Sequence, residues 1–332
     1  MIRQKGSRLS VTLVICTIFA LLVSGCGSKA ATSETTASQG TSTETPAATA
    51  DAVREVKHAM GTAKIKGTPE RVVVLTNEST EVALELGVKP VGAVKSGVGD
   101  TWFPHIKAEM DGVTELGEET EPNMELIVSL KPDLIIGNKV RHEKIYSQLD
   151  KIAPTVMSED LAGQWKVNLA LYADALNKKA EGDQAIANYD KHVAEVKDKA
   201  GSKLSTKVSV VRFTPKAVRI YQKDTFSGVI LKDLGFARPA SQDKDNFMEV
   251  VTKEQMSLID GDIMFYFNAD YDESKAGTKM QEEWMNDPLY KTLEVAKNNK
   301  AFKVDEIIWN LSGSIKSANL LLDELAGYAD KM

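Results

Sequence analysis

The sequence has 332 residues, with 41 Lys and Arg against 47 Asp and Glu and a formal net charge of −6 at pH 7. That acidic balance argues against nucleic acid as a partner, since a phosphate backbone is held by clustered positive charge. Four His and two Cys leave little from which to build a metal centre or a disulfide framework.

In chain order, Arg3, Lys5 and Arg8 precede an apolar run from Leu9 to Val23 that is short for a membrane span, followed by Ser24-Gly25-Cys26. The pattern resembles a bacterial lipoprotein signal, residues 1–25, whose cleavage leaves Cys26 as a lipidated N-terminus. The only other cysteine, Cys16, lies in the discarded part, so the mature chain has no disulfide. Losing three positive charges and no negative one moves the net charge to about −9. Residues 26–58 open with Ser, Thr, Ala, Gln and Glu and almost no large apolar side chain. They are expected to form a flexible tether that holds the folded part off the membrane.

A first lobe, residues 59–163, alternates strands at Val72–Leu75, Val91–Val94, Leu134–Ile136 and Thr155–Val156 with helical stretches. That order predicts a parallel sheet with right-handed crossovers, and ligands meet such a sheet at the C-terminal ends of its strands. The loops there are Thr76–Glu78, Lys95–Phe103 and Asn138–His142. Residues 164–201 read as helix without strand: Trp165, Leu169, Tyr172 and Leu176, then Ile186, Tyr189, Val193, Val196 and Ala200, with Asp183 as N-cap and Gly201 as the stop. About eighteen residues at 1.5 Å give a rod of roughly 27 Å, long enough to join two lobes. A second lobe, residues 202–332, has strands at Val208–Val211, Arg219–Tyr221, Ile263–Phe267 and Ala301–Val304, the segment Ile308-Trp309-Asn310, and a last helix through Leu320 to Tyr328.

Two echoes tie the lobes together. Pro122–Gly137, PNMELIVSLKPDLIIG, returns as Thr252–Phe265, TKEQMSLIDGDIMF. In each, a Glu (Glu125, Glu254) opens a helical turn and an Asp eight residues on (Asp133, Asp262) leads into an apolar strand. Val72–Pro90 and Val208–Pro239 also share strand, polar loop, helix and Leu-Gly.

Catalytic motifs fail on inspection. His142-Glu143 lacks the second histidine of a zinc-protease helix, whose place holds Tyr146, and Gly97-Val98-Gly99 lacks the third glycine of a dinucleotide loop. No G-x-S-x-G elbow or P-loop is present, so the chain reads as a binding protein and not an enzyme. Arginine is the residue that stands out. In a Lys-rich chain only eight Arg occur, and Arg141, Arg212 and Arg219 fall at strand ends facing the predicted cleft. Their forked guanidinium groups suit carboxylate-like oxygens, although rim salt bridges would use them equally well. Trp102, Tyr221, Phe226 and Trp309 lie in or beside the same loops, where aromatics either wall a pocket or fill a core.

With those residues in place, the segments ERVVVLTNESTEVALELGVKPVGA, PNMELIVSLKPDLIIG, RHEKIYSQLDKIAPT and VDEIIWNLSGSIKSANLLLDEL together resemble the iron-siderophore-binding lipoproteins of bacterial ABC importers, over nearly the whole chain after Cys26. The Arg-His, VRF, RIY and IWN segments are similar to the branch that binds ferric hydroxamate and citrate-based siderophores. The resemblance implies an α/β fold of two Rossmann-like lobes joined by a single long helix, and iron that arrives already enclosed by its chelator, so that the protein needs neither cofactor nor metal ligands. It implies a ligand site of Arg141, Arg212, Arg219, Tyr221, Trp102, Trp309 and Asn310. It further implies that Glu125 and Glu254 meet arginines on the permease subunits, and that the chain works as a monomer anchored at Cys26 on the extracytoplasmic face of the cell membrane. A haem or cobalamin carrier of the same fold is the alternative, with Tyr221, Tyr271 or His142 as axial ligand; a catalytic or adhesive lipoprotein is a further one.

Overall fold

The computed structural model describes residues 52–332; the signal segment, Cys26 and the tether as far as residue 51 lie outside them. The tether assignment is corrected at its end. Strands β1 (Val53–His58) and β2 (Gly61–Lys66) form an antiparallel hairpin, because alternation turns Val56, Ala63 and Ile65 into the core. Arg54, read as part of the tether, donates to the carbonyl oxygens of Asp174 and, at 3.0 Å, Ala175. Those carbonyls end a helix, where acceptors would otherwise lack partners.

The first lobe is built on β3 (Val72–Val74), β4 (Gly92–Ala93), β5 (Thr114–Glu115), β8 (Leu134–Asn138) and β9 (Thr155–Ser158), all parallel in the order β5-β4-β3-β8-β9. A small hairpin of β6 (Gly117–Glu118) and β7 (Glu121–Pro122) caps one end. Helix α1 (Asn77–Glu85) follows β3 directly, its start closed by a capping box of Thr76 and Ser79. Helices α2 (Met124–Ser129), α3 (Lys139–His142) and α4 (Tyr146–Leu149) complete the lobe.

Helix α5 (Trp165–Ala175) packs on α1, and α6 (Lys179–Ala200) then runs from α5 to the second lobe's helices. It begins four residues before the expected Asp183, which sits inside it paired to Lys179 at 2.7 Å, and it stops at Gly201, whose φ of +51° breaks the helix.

The second lobe holds β10 (Val208–Phe213), β11 (Val218–Tyr221), α7 (Phe226–Leu234), β12 (Met248–Val251), β13 (Ile263–Asn268), α8 (Ala276–Met285), α9 (Glu294–Lys297), β14 (Ala301–Lys303) and α10 (Ile315–Gly327). Its sheet order is β12-β11-β10-β13-β14. Here the expected equivalence with the first lobe breaks down. A tight turn at Thr214–Ala217 sends β11 back antiparallel to β10, so a hairpin precedes α7 where the first lobe goes straight from strand to helix.

The PNMEL…PDLIIG repeat is real in the structure. Asp133 and Asp262 each enter a strand lying parallel beside the lobe's first strand, and each carboxyl group accepts from backbone N–H groups at that strand's approach: Glu70 and Arg71 for Asp133, at 2.8 and 2.9 Å, and Lys207 for Asp262, at 2.7 Å. One side-chain device thus sets register twice.

The largest core runs through both lobes along α1, α5, α6, α7 and α10, with a smaller core on the outer face of each sheet. The lobes also meet through α1 and α10. The Glu81 carboxyl group of α1, fully buried, accepts from Ser312, from Ser314 Oγ at 2.5 Å and from the Ser317 N–H at 3.3 Å, with His105 Nε2 at 2.5 Å. An acceptor at a helix N-terminus satisfies donors the helix leaves open.

Candidate ligand-binding site

Between the lobes lies a cavity of about 580 Å³, within the range of small-molecule sites. Its first-lobe wall comes from the α1 start (Asn77, Glu78), the loop after β4 (Lys95–Val98), the β6–β7 turn (Glu118–Thr120) and Arg141 of α3. Its second-lobe wall is Arg212, Arg219, Tyr221, Phe247, Tyr271 and the turn Asn310–Gly313.

Strand alternation explains the second wall. In β10 and β11, Val211, Phe213, Val218 and Ile220 point into the outer core, so Arg212, Arg219 and Tyr221 must take the opposite face. Arg212 and Arg219 are direct cross-strand partners. Like charges in that position repel, and they are tolerated where something negative lies between or above them. For Arg212 that partner is Glu306, 2.6 Å away, with both side chains about one-tenth exposed. Arg212 also donates to the hydroxyls of Tyr221, at 3.3 Å, and Tyr271, which donates in turn to Glu306 at 3.2 Å. Burial pushes the Glu306 carboxyl up from its ordinary value against the opposing pull of Arg212, and pushes the Tyr271 hydroxyl up to about 12. Arg219 has no carboxylate within 4.0 Å among the described residues, and its buried Nε is unbonded. Arg141 lies on the opposite wall, exposed, with Nε 3.4 Å from Glu119.

Of the residues singled out in the sequence, Arg141, Arg212, Arg219, Tyr221 and Asn310 therefore converge on the cavity. Trp309 does not. Ile307–Leu311 is a helical turn, in which neighbours point in different directions, so Asn310 faces the cavity while Trp309 is completely buried, its ring tilted against Phe265 at 4.8 Å and Nε1 donating to Glu324 at 2.6 Å. Trp102 is likewise corrected: it packs half-buried against the main core and the cavity wall in its loop is Lys95–Val98. Phe226 is core.

The candidate axial ligands are also placed. His142 is buried with both nitrogens in use: Nδ1 accepts from the Asn138 N–H at 3.1 Å, so Nε2 carries the proton and donates to the Glu119 carbonyl at 2.8 Å. Burial lowers its pKa, which keeps that neutral form. Its task is to fix the β6–β7 turn, and with it Glu119, against α3. The acidic residues that complete the site, Glu78, Glu119 and Glu306, were not singled out in the sequence; nothing in their spacing separates them from surface glutamates.

A profile of the periplasmic binding protein family matches residues 72–307, which take in both sheets and most of the cavity wall. The chain belongs to that family. Two relatives of this binding protein are the probable siderophore-binding lipoprotein YfiY of Bacillus subtilis, 50% identical over 83% of this chain and 87% of YfiY, and an achromobactin-binding periplasmic protein of Dickeya dadantii, 31% identical over 78% and 86%. Among solved structures, Staphylococcus aureus SirA complexed with staphyloferrin B superposes with a TM-score of 0.78 at 38% identity, covering 83% of this chain and 98% of SirA. The α/β fold of two lobes joined by a long helix is thus that of a known class of substrate-binding protein.

Proposed function

We propose that this protein captures a ferric siderophore outside the cytoplasm and delivers it to the permease of an ABC importer, without catalysis and as a monomer. The observation that carries the proposal is the cross-strand pair Arg212–Arg219, with no carboxylate within 4.0 Å of Arg219 among the described residues, facing an open cavity of ligand size. With Arg212 already paired to Glu306, it is Arg219 that calls for an anion from outside the chain, and a ferric chelate with surplus carboxylate or hydroxamate oxygens is one. A chelate that supplies all of the iron's ligands also asks for no metal-binding cluster from the protein. Citrate-based and hydroxamate chelates are the expected classes, bound by Arg141, Arg212, Arg219, Tyr221 and Asn310. Titration of the purified protein with ferric citrate, a ferric citrate-based dihydroxamate, haem and cobalamin, followed by tryptophan quenching, tests the reading. Saturable quenching by a ferric chelate is expected; binding of haem or cobalamin alone would overturn it.

The membrane anchor belongs to the same proposal. Two acyl chains on Cys26 hold a protein firmly where one does not. Cys26→Ala protein should leave the membrane fraction, and full retention there would rule the anchor out.

Delivery is assigned to Glu125 and Glu254. Each is exposed near the start of a helical segment, α2 with Asn123 as its cap and the 3₁₀ segment Lys253–Ile259 with Thr252 as its cap, and neither has an ion-pair partner among the described residues. Bonds from the Thr252 hydroxyl and its own backbone N–H hold Glu254 below the usual carboxylate value. Exposed rim charges mainly set encounter and register with a partner. In cells, Glu125→Arg/Glu254→Arg should lower iron uptake while chelate affinity and melting midpoint stay near native. Uptake at the native rate with equal expression would reduce both to ordinary helix-start glutamates.

A further inference from the structure

Four cations border the cavity, and three of them already hold a carboxylate: Lys95 pairs with Glu118 at 2.7 Å, Arg141 with Glu119 at 3.4 Å and Arg212 with Glu306 at 2.6 Å. Arg219 has none within 4.0 Å among the described residues. The three pairs differ in what a ligand can do to them. Lys95, Glu118 and Arg141 are exposed enough for water and salt to screen their pairs, so an arriving anion can take those cations over. Arg212 and Glu306 are only 12% and 10% exposed, and neither can turn away without leaving the other's charge buried and unpaired. Tyr271 closes this pair, accepting from Arg212 and donating to Glu306 at 3.2 Å. Glu306 itself stands outside the main cavity wall, in a side pocket that it shares with Tyr271. A ligand in the main cavity therefore meets Arg212 with its counter-charge still in place. Across the cavity, the first-lobe wall sets three carboxyl groups, Glu78, Glu118 and Glu119, against the two cations Lys95 and Arg141, so it supplies no surplus of positive charge.

We propose that Glu306 is a specificity-determining residue that acts through Arg212: by neutralising it, Glu306 leaves Arg219 as the one uncompensated cation at the cavity among the described residues, which matches the site to a chelate presenting a single anionic group and disfavours more highly charged ones. This rests on the reading of the cavity as a ferric-chelate site. Arg212 then serves as a hydrogen-bond donor of fixed direction, and Arg219 supplies the charge. A citrate-based dihydroxamate without further carboxylates suits that arrangement; one with a carboxylate on each arm carries more charge than the wall can meet.

The test uses the ferric complexes of two citrate-based dihydroxamates that share their iron-binding groups and differ only in a carboxylate on each arm, titrated at neutral pH into native and Glu306→Gln protein. Gln keeps an oxygen for Arg212 and Tyr271 and removes only the charge. Native protein should bind the chelate without arm carboxylates more tightly, and Glu306→Gln should narrow that preference about tenfold, the scale of one charge unmasked about 10 Å away at an effective dielectric of about 20. A preference that Glu306→Gln leaves unchanged, equal weakening of both chelates included, would mean that Glu306 only holds Arg212 in place. Native protein indifferent to the arm carboxylates, or favouring them, would mean that the site does not select by charge; either result overturns the proposal. The salt dependence of native protein supplies a readout that needs no variant. Affinity for the carboxylate-armed chelate should fall with rising salt no more steeply than affinity for the other, and a steeper fall would show further cations engaging it and overturn the assignment. Failure of native protein to bind either chelate would instead refute the siderophore reading itself.

Discussion

Glu81→Ala is expected to lower the melting midpoint far more than removal of a partly solvated carboxylate on the same helix. Its carboxyl group is fully buried and gathers His105, the Ser312 and Ser314 hydroxyls and the Ser317 N–H, so its loss leaves several donors without an acceptor. Orphaned buried donors cost about 1–3 kcal/mol each, less whatever water recovers. A total of about 3 kcal/mol corresponds to roughly 6–12 °C in a domain of this size. Because the bonds join α1 of one lobe to the start of α10 in the other, the loss should also speed hydrogen exchange at Ser314–Ser317. Glu85→Ala is the control. Glu85 shares the helix and also reaches across the lobes, to Lys316 at 3.7 Å, but both side chains are partly solvated, and its removal should cost less than about 1 kcal/mol. Equal midpoints for Glu81→Ala and Glu85→Ala would show that the buried junction contributes no more than a surface ion pair.

The parts of this molecule that were legible in the sequence are those where one residue type can do one job. Asp133 and Asp262 recur eight residues after Glu125 and Glu254, and in the structure each closes the gap between neighbouring strands in its own lobe. Arg141, Arg212 and Arg219 stood out because the chain otherwise uses Lys, and all three border the cavity. The second-lobe hairpin was within reach of the sequence too, since Val208–Phe213 and Val218–Tyr221 are too close together for a crossover helix and can therefore pair only antiparallel.

What stayed hidden is polar burial. Asn77, Glu78, Ser79, Thr80 and Glu81 form the first turns of α1, a run that by composition belongs on a solvated face, yet all are buried. Only the fold supplies their partners, from Asn168 about ninety positions on and the serines more than two hundred positions on. Aromatic placement failed for a related reason: Trp309 and Asn310 are adjacent in sequence, but a helical turn sends one to the core and the other to the cleft. Sequence located the segment and could not orient it.

Arg219→Ala and Arg212→Ala should separate affinity from stability. Arg219 has no carboxylate within 4.0 Å among the described residues, so its removal should weaken chelate binding about ten- to a hundredfold, the value of one or two charged hydrogen bonds in a partly dry site, and should leave the melting midpoint close to native. Arg219→Lys should recover only part of the affinity, since the fork is lost. Arg212→Ala should cost both. It strips Glu306 of its cation and leaves a buried carboxyl group with only Tyr271, and breaking a buried pair costs about 3–5 kcal/mol. That loss has a definite pH dependence. Burial already raises the Glu306 pKa while Arg212 pulls it down, so removing Arg212 raises it further. A carboxyl whose folded pKa lies above its unfolded value favours folding below the unfolded value and loses that contribution as pH rises through the folded one. The Arg212→Ala variant should therefore fall furthest below native near pH 8 and recover as the solution is acidified toward the ordinary Glu range, about 4.3. Parallel melting midpoints of native and Arg212→Ala protein across that interval would show that Glu306 does not titrate with Arg212, and unchanged chelate affinity in Arg219→Ala would remove the cross-strand pair from the binding site.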